Sequence, residues 1–261
     1  MSRATPTSEP YERHLGLAGT RNFRDIGGYP AGAGRQTRWR TLFRADALDQ
    51  LPADSQAALV GLGVRQAIDL RFASEIEAWP SVFRDSPAVR YVSLPLHEDR
   101  PAPPGGLAAV YREIIDTRGA QFAAVGHALL ESGGLPAIVG CAGGIDRTGL
   151  TIAIVLRAVG VPADVVAADY GLSAASFAGE GRGSGLTDWR SGPVRINCRP
   201  EYMLEALDHL TTRHGGATAF LARHGLGGAD VARLRDLLTE PTDNGADDDP
   251  DGRPGRIASS P

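Results

Sequence analysis

The chain contains no lysine. All 27 of its cationic residues are arginine, so any anion held by a side-chain cation is held by a guanidinium. Positive charge is not in excess either. With 31 acidic residues the formal net charge is -4, which leaves no basic footprint of the kind nucleic-acid binding needs. Cysteine is nearly absent: Cys141 and Cys198 lie too far apart for metal-ligand spacing. A reduced cytosolic chain is the simpler reading of that scarcity. No apolar run approaches the roughly 20 residues of a membrane helix. The start, MSRATPTSEPYERHLG, lacks the apolar centre of a secretory signal. These absences predict a cytoplasmic protein with no nucleic-acid partner, no membrane span, no metal and no cofactor. They carry no signature of a particular oligomeric state.

What is present is an ordinary globular composition, 42% apolar and 22% charged over 261 residues, enough for one large domain with a buried core. Residues 1–10 are polar with two prolines, and 241–261 are acidic and apolar-poor, so both ends are expected to be disordered around a domain at 11–240. Turn signals crowd 27–34, and 40–44 reads as a short strand. Residues 52–62 read as a helix with Pro52 at its start, and 63–71 as a buried strand. Ser74 with Glu77 matches a capping box, so a helix starts near Ser74 and runs into Pro80. Alternation at 88–96 gives another strand, and strand–helix–strand at this spacing implies a βαβ unit in a largely parallel α/β sheet. Helices follow at about 107–117, 120–132, 163–173, 200–214, 217–224 and 229–239.

Two segments stand apart. The proline-rich loop 97–106 leaves a strand end with His97, Glu98, Asp99 and Arg100, and strand carboxyl ends are where α/β sites lie. The glycine-rich stretch 176–199 has no periodicity and is a candidate lid. Asn22, Arg24, Asp25, Arg44 and Asp46 form a dense polar set; for most of them the better reading is side chains tying turns together, and the alternative puts one or two beside the site.

The chain is organised around LPAIVGCAGGIDRTGLTIAIVLRAVG, residues 135–160: a short apolar strand, a glycine-containing turn and an apolar helix. A Cys-x5-Arg spacing for either cysteine would arise by chance about one time in five. The context is more specific. Ile138 and Val139 put Cys141 at the end of a buried strand. Gly143 and Gly144 remove Cβ atoms where backbone amides would converge. Arg147 opens a helix whose N-terminus offers unpaired N–H groups and partial positive charge. That combination is an anion cradle suited to phosphate. Cys141 would be the nucleophile, its thiolate favoured by the helix N-terminus and the guanidinium. Arg147 would clamp two phosphoryl oxygens, Asp146 would move protons, and Thr148 would hydrogen-bond the sulfur. Singly, each residue has a structural explanation: a small core residue, an ion pair, a helix cap. Together those explanations leave the glycines and the cation unaccounted for.

CAGGIDRTG resembles the phosphate-binding loop of the protein tyrosine phosphatase superfamily, in particular the atypical bacterial tyrosine and lipid phosphatases with an Asp-Arg-Thr-Gly ending. NFRDIGGY, LFRADAL, GVRQAIDLR, ADYGLS and LARHGLGGADVARLRDLL look like the same branch. The resemblance implies a single-domain cysteine-phosphatase fold, a four- to five-stranded sheet flanked by helices. It also implies a phosphocysteine intermediate, with Cys141 as nucleophile, Arg147 as clamp, Asp146 as loop-borne acid, and Ala142, Gly143, Gly144, Ile145 and Thr148 around the substrate. Two positions depart from it. Gly140 stands where the family has His, and Ile145 where this branch commonly has Lys. An apolar Ile145 argues against inositol lipids and for a less charged or aromatic ester. The expected substrate is a phosphotyrosine or dual-specificity phosphoprotein; the alternatives are a small-metabolite phosphoester, or a catalytically weak phosphate-binding module in which Gly140 has cost activity.

Overall fold

The computed structural model describes residues 11–97, 104–177 and 198–242. The expected disorder at 1–10 and 243–261, Asp99 with the rest of 98–103, and 178–197 of the candidate lid lie outside them. The elements in chain order are β1 (Arg24–Asp25), β2 (Arg35–Thr37), β3 (Leu42–Ala45), α1 (Ala53–Gly61), β4 (Gln66–Asp69), α2 (Ala73–Ala78), β5 (Arg90–Ser93) and α3 (Gly106–Thr117). Then come α4 (Gly119–Leu130), β6 (Ala137–Gly140), α5 (Asp146–Ala158), α6 (Ala163–Leu172), α7 (Pro200–His214), α8 (Ala217–Arg223), α9 (Gly228–Leu238) and β7 (Thr239–Pro241). No helix among the described residues is long and apolar enough to cross a membrane.

Five strands form one sheet in the order β1-β3-β6-β4-β5, antiparallel only between β1 and β3. The strands alternate between two cores, as the period of two requires. Phe43, Ala67 and Ile138 face a smaller core with Leu59 of α1, while Leu42, Ile68, Ala137 and Val139 face the larger one built with α3 to α9. Burial on both faces explains why β6 reads as an unbroken apolar run. Helix α5 is apolar nearly all round because α4, α6, α7 and α8 pack around it.

Three expectations need correction. Helix α2 is capped by Phe72, whose N–H donates to Glu75 at 2.7 Å, and not through Ser74 and Glu77. Phenylalanine has no acceptor to return, so this cap is one-sided and its sequence signature is invisible. The tail is ordered up to Thr242, because β7 pairs with β2 across more than 200 residues and Arg35 donates to the Thr239 hydroxyl at 2.7 Å. The polar set near the amino terminus does more than tie turns.

Within that set, Arg24 of β1 and Arg44 of β3 converge on Asp169 of α6. Arg24 Nε donates to one carboxylate oxygen at 3.1 Å and Arg44 Nη1 to the other at 2.5 Å, with all three side chains at most 1% exposed. The Tyr29 hydroxyl adds a third bond at 2.9 Å. Burial alone would raise the proton affinity of Asp169, but the two guanidiniums outweigh it and hold the carboxyl well below the usual range. Asp169→Asn leaves two buried arginines short of charge and should cost about 3–5 kcal/mol in denaturant unfolding at pH 7. The folded pKa is depressed, so the contribution is complete above the unfolded value of ~4 and is lost as pH falls through the folded one. The gap between wild type and variant should therefore narrow below pH ~4; a gap that stays constant would remove the ion pair from the account.

Candidate functional site

In register across the sheet, Ala45 of β3 and Asp69 of β4 both pair with Gly140 of β6. Asp46, Cys141 and Arg71 therefore leave the sheet at one edge, the carboxyl end of three parallel strands. Cys141 is buried there, beside a small cavity also lined by Asp46, Asp69, Arg71 and Tyr91. Asp69 is bound by Arg71 at 2.8 Å and by the Tyr91 hydroxyl at 2.9 Å, which occupies its carboxylate.

The turn after Cys141 has its carbonyls pulled outward. Ala47 N–H donates to Ala142 O at 3.0 Å, Asn22 Nδ2 to Gly143 O at 3.0 Å, and Arg44 Nη2 to Gly144 O at 2.8 Å. In a trans peptide the C=O and the next N–H point in opposite directions. Turning these three carbonyls out turns the N–H groups of Gly143, Gly144 and Ile145 in. Among the described residues none of those N–H groups meets an acceptor. Helix α5 then starts at Asp146 with no side-chain cap on Ile145, so its first-turn amides point the same way.

Gly144 is required and Gly143 is not. Gly144 has φ +66, and a Cβ there would stand 2.6 Å from Ala45 O. A Cβ on Gly143 would meet only Ile145, at an ordinary 3.6 Å. At Gly140 a Cβ would crowd Asp46 O at 3.2 Å and Ala45 O at 3.3 Å, so β3 approaches more closely than a larger residue would comfortably allow. The Asp46 carboxyl accepts the Arg21 and Asn22 N–H groups at 3.0 and 3.2 Å, and burial pushes it up to about 6.

Arg147 is oriented before any ligand arrives. Its Nη1 and Nη2 donate to the two oxygens of Glu75 at 2.5 and 2.9 Å, and the Phe72 ring lies under the guanidinium at 4.3 Å. Burial alone would lower the Arg147 pKa; Glu75, Cys141 and Asp146 reverse that and keep it charged. His97 stands edge-on to Phe72 at 4.8 Å, one ring removed from the arginine. Asp146 is half-buried and accepts the Tyr111 hydroxyl at 2.5 Å. Close packing raises its proton affinity, opposed by that bond and by Arg147. The Cys198 thiol is pushed up to about 11, first by burial and then by Asp146.

Cys141, Ala142, Gly143, Gly144, Asp146 and Arg147 thus lie around one turn. Ile145 is turned into the larger core, so its amide is what it can offer a ligand. Thr148 is buried, and among the described residues its hydroxyl bonds to nothing, the cysteine sulfur included. The sequence pattern gives no sign of Glu75, Phe72, Tyr111 and Tyr170 as parts of the site, or of Asn22 as a loop anchor. Among the described residues one group has the composition of a metal site, Asp116 with His209 and His214. Both imidazole Nε2 atoms lie 2.7–2.8 Å from one Asp116 oxygen. Arg223 faces His214 Nδ1 at 3.4 Å, which places the proton on Nε2, toward the carboxylate. The trio fastens α3 to α7.

A family model described as the tyrosine phosphatase family matches residues 15–240. The chain is 26% identical over 273 residues to the triple specificity protein phosphatase PtpB of Mycobacterium tuberculosis, covering 85% of this chain and 98% of that one. Two solved structures of P. aeruginosa TpbA, one in complex with pTyr, align at 20% identity and a TM-score of 0.37, over 80% of this chain and 91–92% of theirs. A structural likeness that loose says nothing about the site.

The two loop glycines separate experimentally. Gly144→Ala adds left-handed strain and a backbone collision and should cost about 2–4 kcal/mol. Gly143→Ala should stay within about 1 kcal/mol. Urea unfolding of both variants measures the contrast, and equal losses would contradict the geometry.

Proposed function

The chain belongs to the tyrosine phosphatase family and is a phosphoric monoester hydrolase, and on that premise we propose that Cys141, Asp146 and Arg147 perform the hydrolysis, on phosphotyrosine and related phosphoesters of proteins. The observation that carries the assignment is the turn itself: carbonyls anchored outward by Asn22, Arg44 and Ala47, amides turned in, and an arginine preset by a carboxylate.

The phosphoryl oxygens accept the inward N–H groups of Gly143, Gly144 and Ile145. Glu75 engages Arg147 through its two terminal nitrogens, which leaves the edge carrying Nε to grip two phosphoryl oxygens as charge spreads over them. Cys141 Sγ attacks phosphorus, the ester P–O bond breaks, and the leaving oxygen takes the Asp146 proton. Water then attacks the phosphocysteine, returns a proton to Asp146 and releases the thiolate. A carboxyl with raised proton affinity that is only half-buried suits both halves of that cycle. The buried Ile145 puts no cation at the position where the branch has lysine, and this favours a singly phosphorylated ester over an inositol polyphosphate. The M. tuberculosis relative is a triple specificity protein phosphatase, which supports a protein substrate.

Cys141→Ser should abolish hydrolysis of p-nitrophenyl phosphate and of phosphotyrosine peptides, and Arg147→Lys should lower kcat/KM by roughly 10²–10³-fold. Turnover surviving Cys141→Ser would refute the nucleophile. A panel in which a phosphorylated metabolite exceeds every phosphopeptide in kcat/KM would move the substrate to the small-molecule class.

A further inference from the structure

Tyr111, Tyr170 and Gly149 are connected to Asp146 in a closed circuit. Tyr111 lies on the buried side of α3 and Tyr170 on that of α6, and neither has more than 1% of its surface exposed. The Tyr111 hydroxyl donates to Asp146 Oδ1 at 2.5 Å, and the Tyr170 hydroxyl lies 2.8 Å from that of Tyr111. A phenol has one proton. Since Tyr111 gives its own to the carboxylate, Tyr170 is the donor to Tyr111. The rings meet edge-to-face with centroids 6.3 Å apart, which fixes both hydroxyls.

Gly149 makes this arrangement possible. A Cβ there would come within 2.9 Å of the Tyr170 ring. Asp146 and Gly149 are three residues apart and share a face of α5. One helical turn therefore supplies both the carboxyl and the slot for the ring that fixes it. Buried phenols need partners, but either oxygen of a carboxylate would satisfy one. The bond goes to Oδ1, which leaves Oδ2 as the oxygen able to carry a proton while that bond is kept.

We propose that Tyr111, held by Tyr170 in the space opened by Gly149, is a positioning residue for Asp146: it occupies Oδ1 throughout the cycle and leaves Oδ2 to give and take the proton. This deepens the proposed hydrolysis and rests on Asp146 being its acid. In the first half-reaction the S–P bond forms, the P–O bond breaks, and the Oδ2 proton passes to the leaving oxygen. Asp146 becomes a carboxylate that keeps the Tyr111 bond. In the second, water bonds to phosphorus, its proton goes to Oδ2, and the P–S bond breaks to return the thiolate. The groups facing the carboxyl are Tyr111 from α3, Tyr170 from α6, Arg147 beside it, Arg44 from β3, and Cys198 just before α7. Of these only Tyr111 donates to Oδ1.

The test is the pH dependence of kcat/KM for p-nitrophenyl phosphate, a good leaving group, and phenyl phosphate, a poor one. Asp146→Asn should remove the alkaline limb and penalise phenyl phosphate more heavily. Tyr111→Phe takes a donor from the charged form of Asp146, so the limb should move up by about one pH unit. Phenyl phosphate should lose about tenfold more than p-nitrophenyl phosphate. Tyr170→Phe should shift the limb the same way by less, with the Tyr111–Asp146 bond intact. A folded Tyr111→Phe whose limb and leaving-group dependence match wild type overturns the proposal. If that variant does not fold, Tyr170→Phe decides, and an unmoved limb there overturns it. An alkaline limb that survives Asp146→Asn is a separate result: it overturns the acid assignment itself.

Discussion

Arg44 joins the scaffold to the site with two nitrogens of one guanidinium. Nη1 meets Asp169 on α6, and Nη2 meets the carbonyl of Gly144 in the turn after Cys141. The first contact neutralises a charge that could not otherwise stay in the core; the second uses the same rigid plane to hold a peptide face outward. An ammonium on a flexible stem would not hold two acceptors in a fixed fork. A chain without lysine has the right cation for this task, and the inward turn of the Ile145 N–H depends on that outward pull.

The consequence is a cradle in which oriented dipoles are backed by one positive charge held behind the turn. Arg24 and Arg44 share the single carboxylate of Asp169, which leaves one positive charge behind the turn, while Arg147 is paired with Glu75 before a ligand is present. Under the proposed function, what remains for the ligand is a set of inward N–H groups, an uncapped helix start and the Nε-bearing edge of Arg147. Such groups need little reorganisation when charge develops on the phosphoryl oxygens, which is where preorganised dipoles are worth most. Glu75 does two jobs: it closes the first turn of α2 through the Phe72 N–H and fixes Arg147. The start of α2 is therefore set by the same carboxylate that orients the arginine.

Legibility in the sequence falls off with separation along the chain. The turn from Cys141 to Arg147 is local: the positive φ of Gly144, the helix start and the strand before it are read from neighbouring residues. The supports are not local. Asn22 reaches Gly144 across 122 residues and Arg44 reaches Asp169 across 125. No periodicity encodes such pairings, so the polar set near the amino terminus resembles turn chemistry. The β2–β7 ribbon escapes detection for the same reason, each strand being three residues long. Glu75 is hidden because Ser74 and Glu77 match a capping box and Phe72 matches nothing. Ile145 is legible in identity and not in direction: its spacing places it at the cradle, while packing turns its side chain into the core.

Gly140 shows the limit of reasoning from a motif by substitution. Set against the family pattern, the missing histidine looks like a loss to the nucleophile. In the structure the end of β3 comes so close that even a Cβ at Gly140 would crowd two carbonyls. The same segment of β3 supplies Ala45 O against Gly144, Ala47 N–H to Ala142, and the Asp46 carboxylate to the Arg21 and Asn22 amides. Close approach of β3 to β6 and the outward anchoring of the turn are therefore one geometric condition, and a side chain at 140 would require Ala45 and Asp46 to give by a few tenths of an ångström. Under the proposed mechanism the turn's amides and Arg147 are the groups left to support the sulfur, and the turn that carries both is anchored by that close approach.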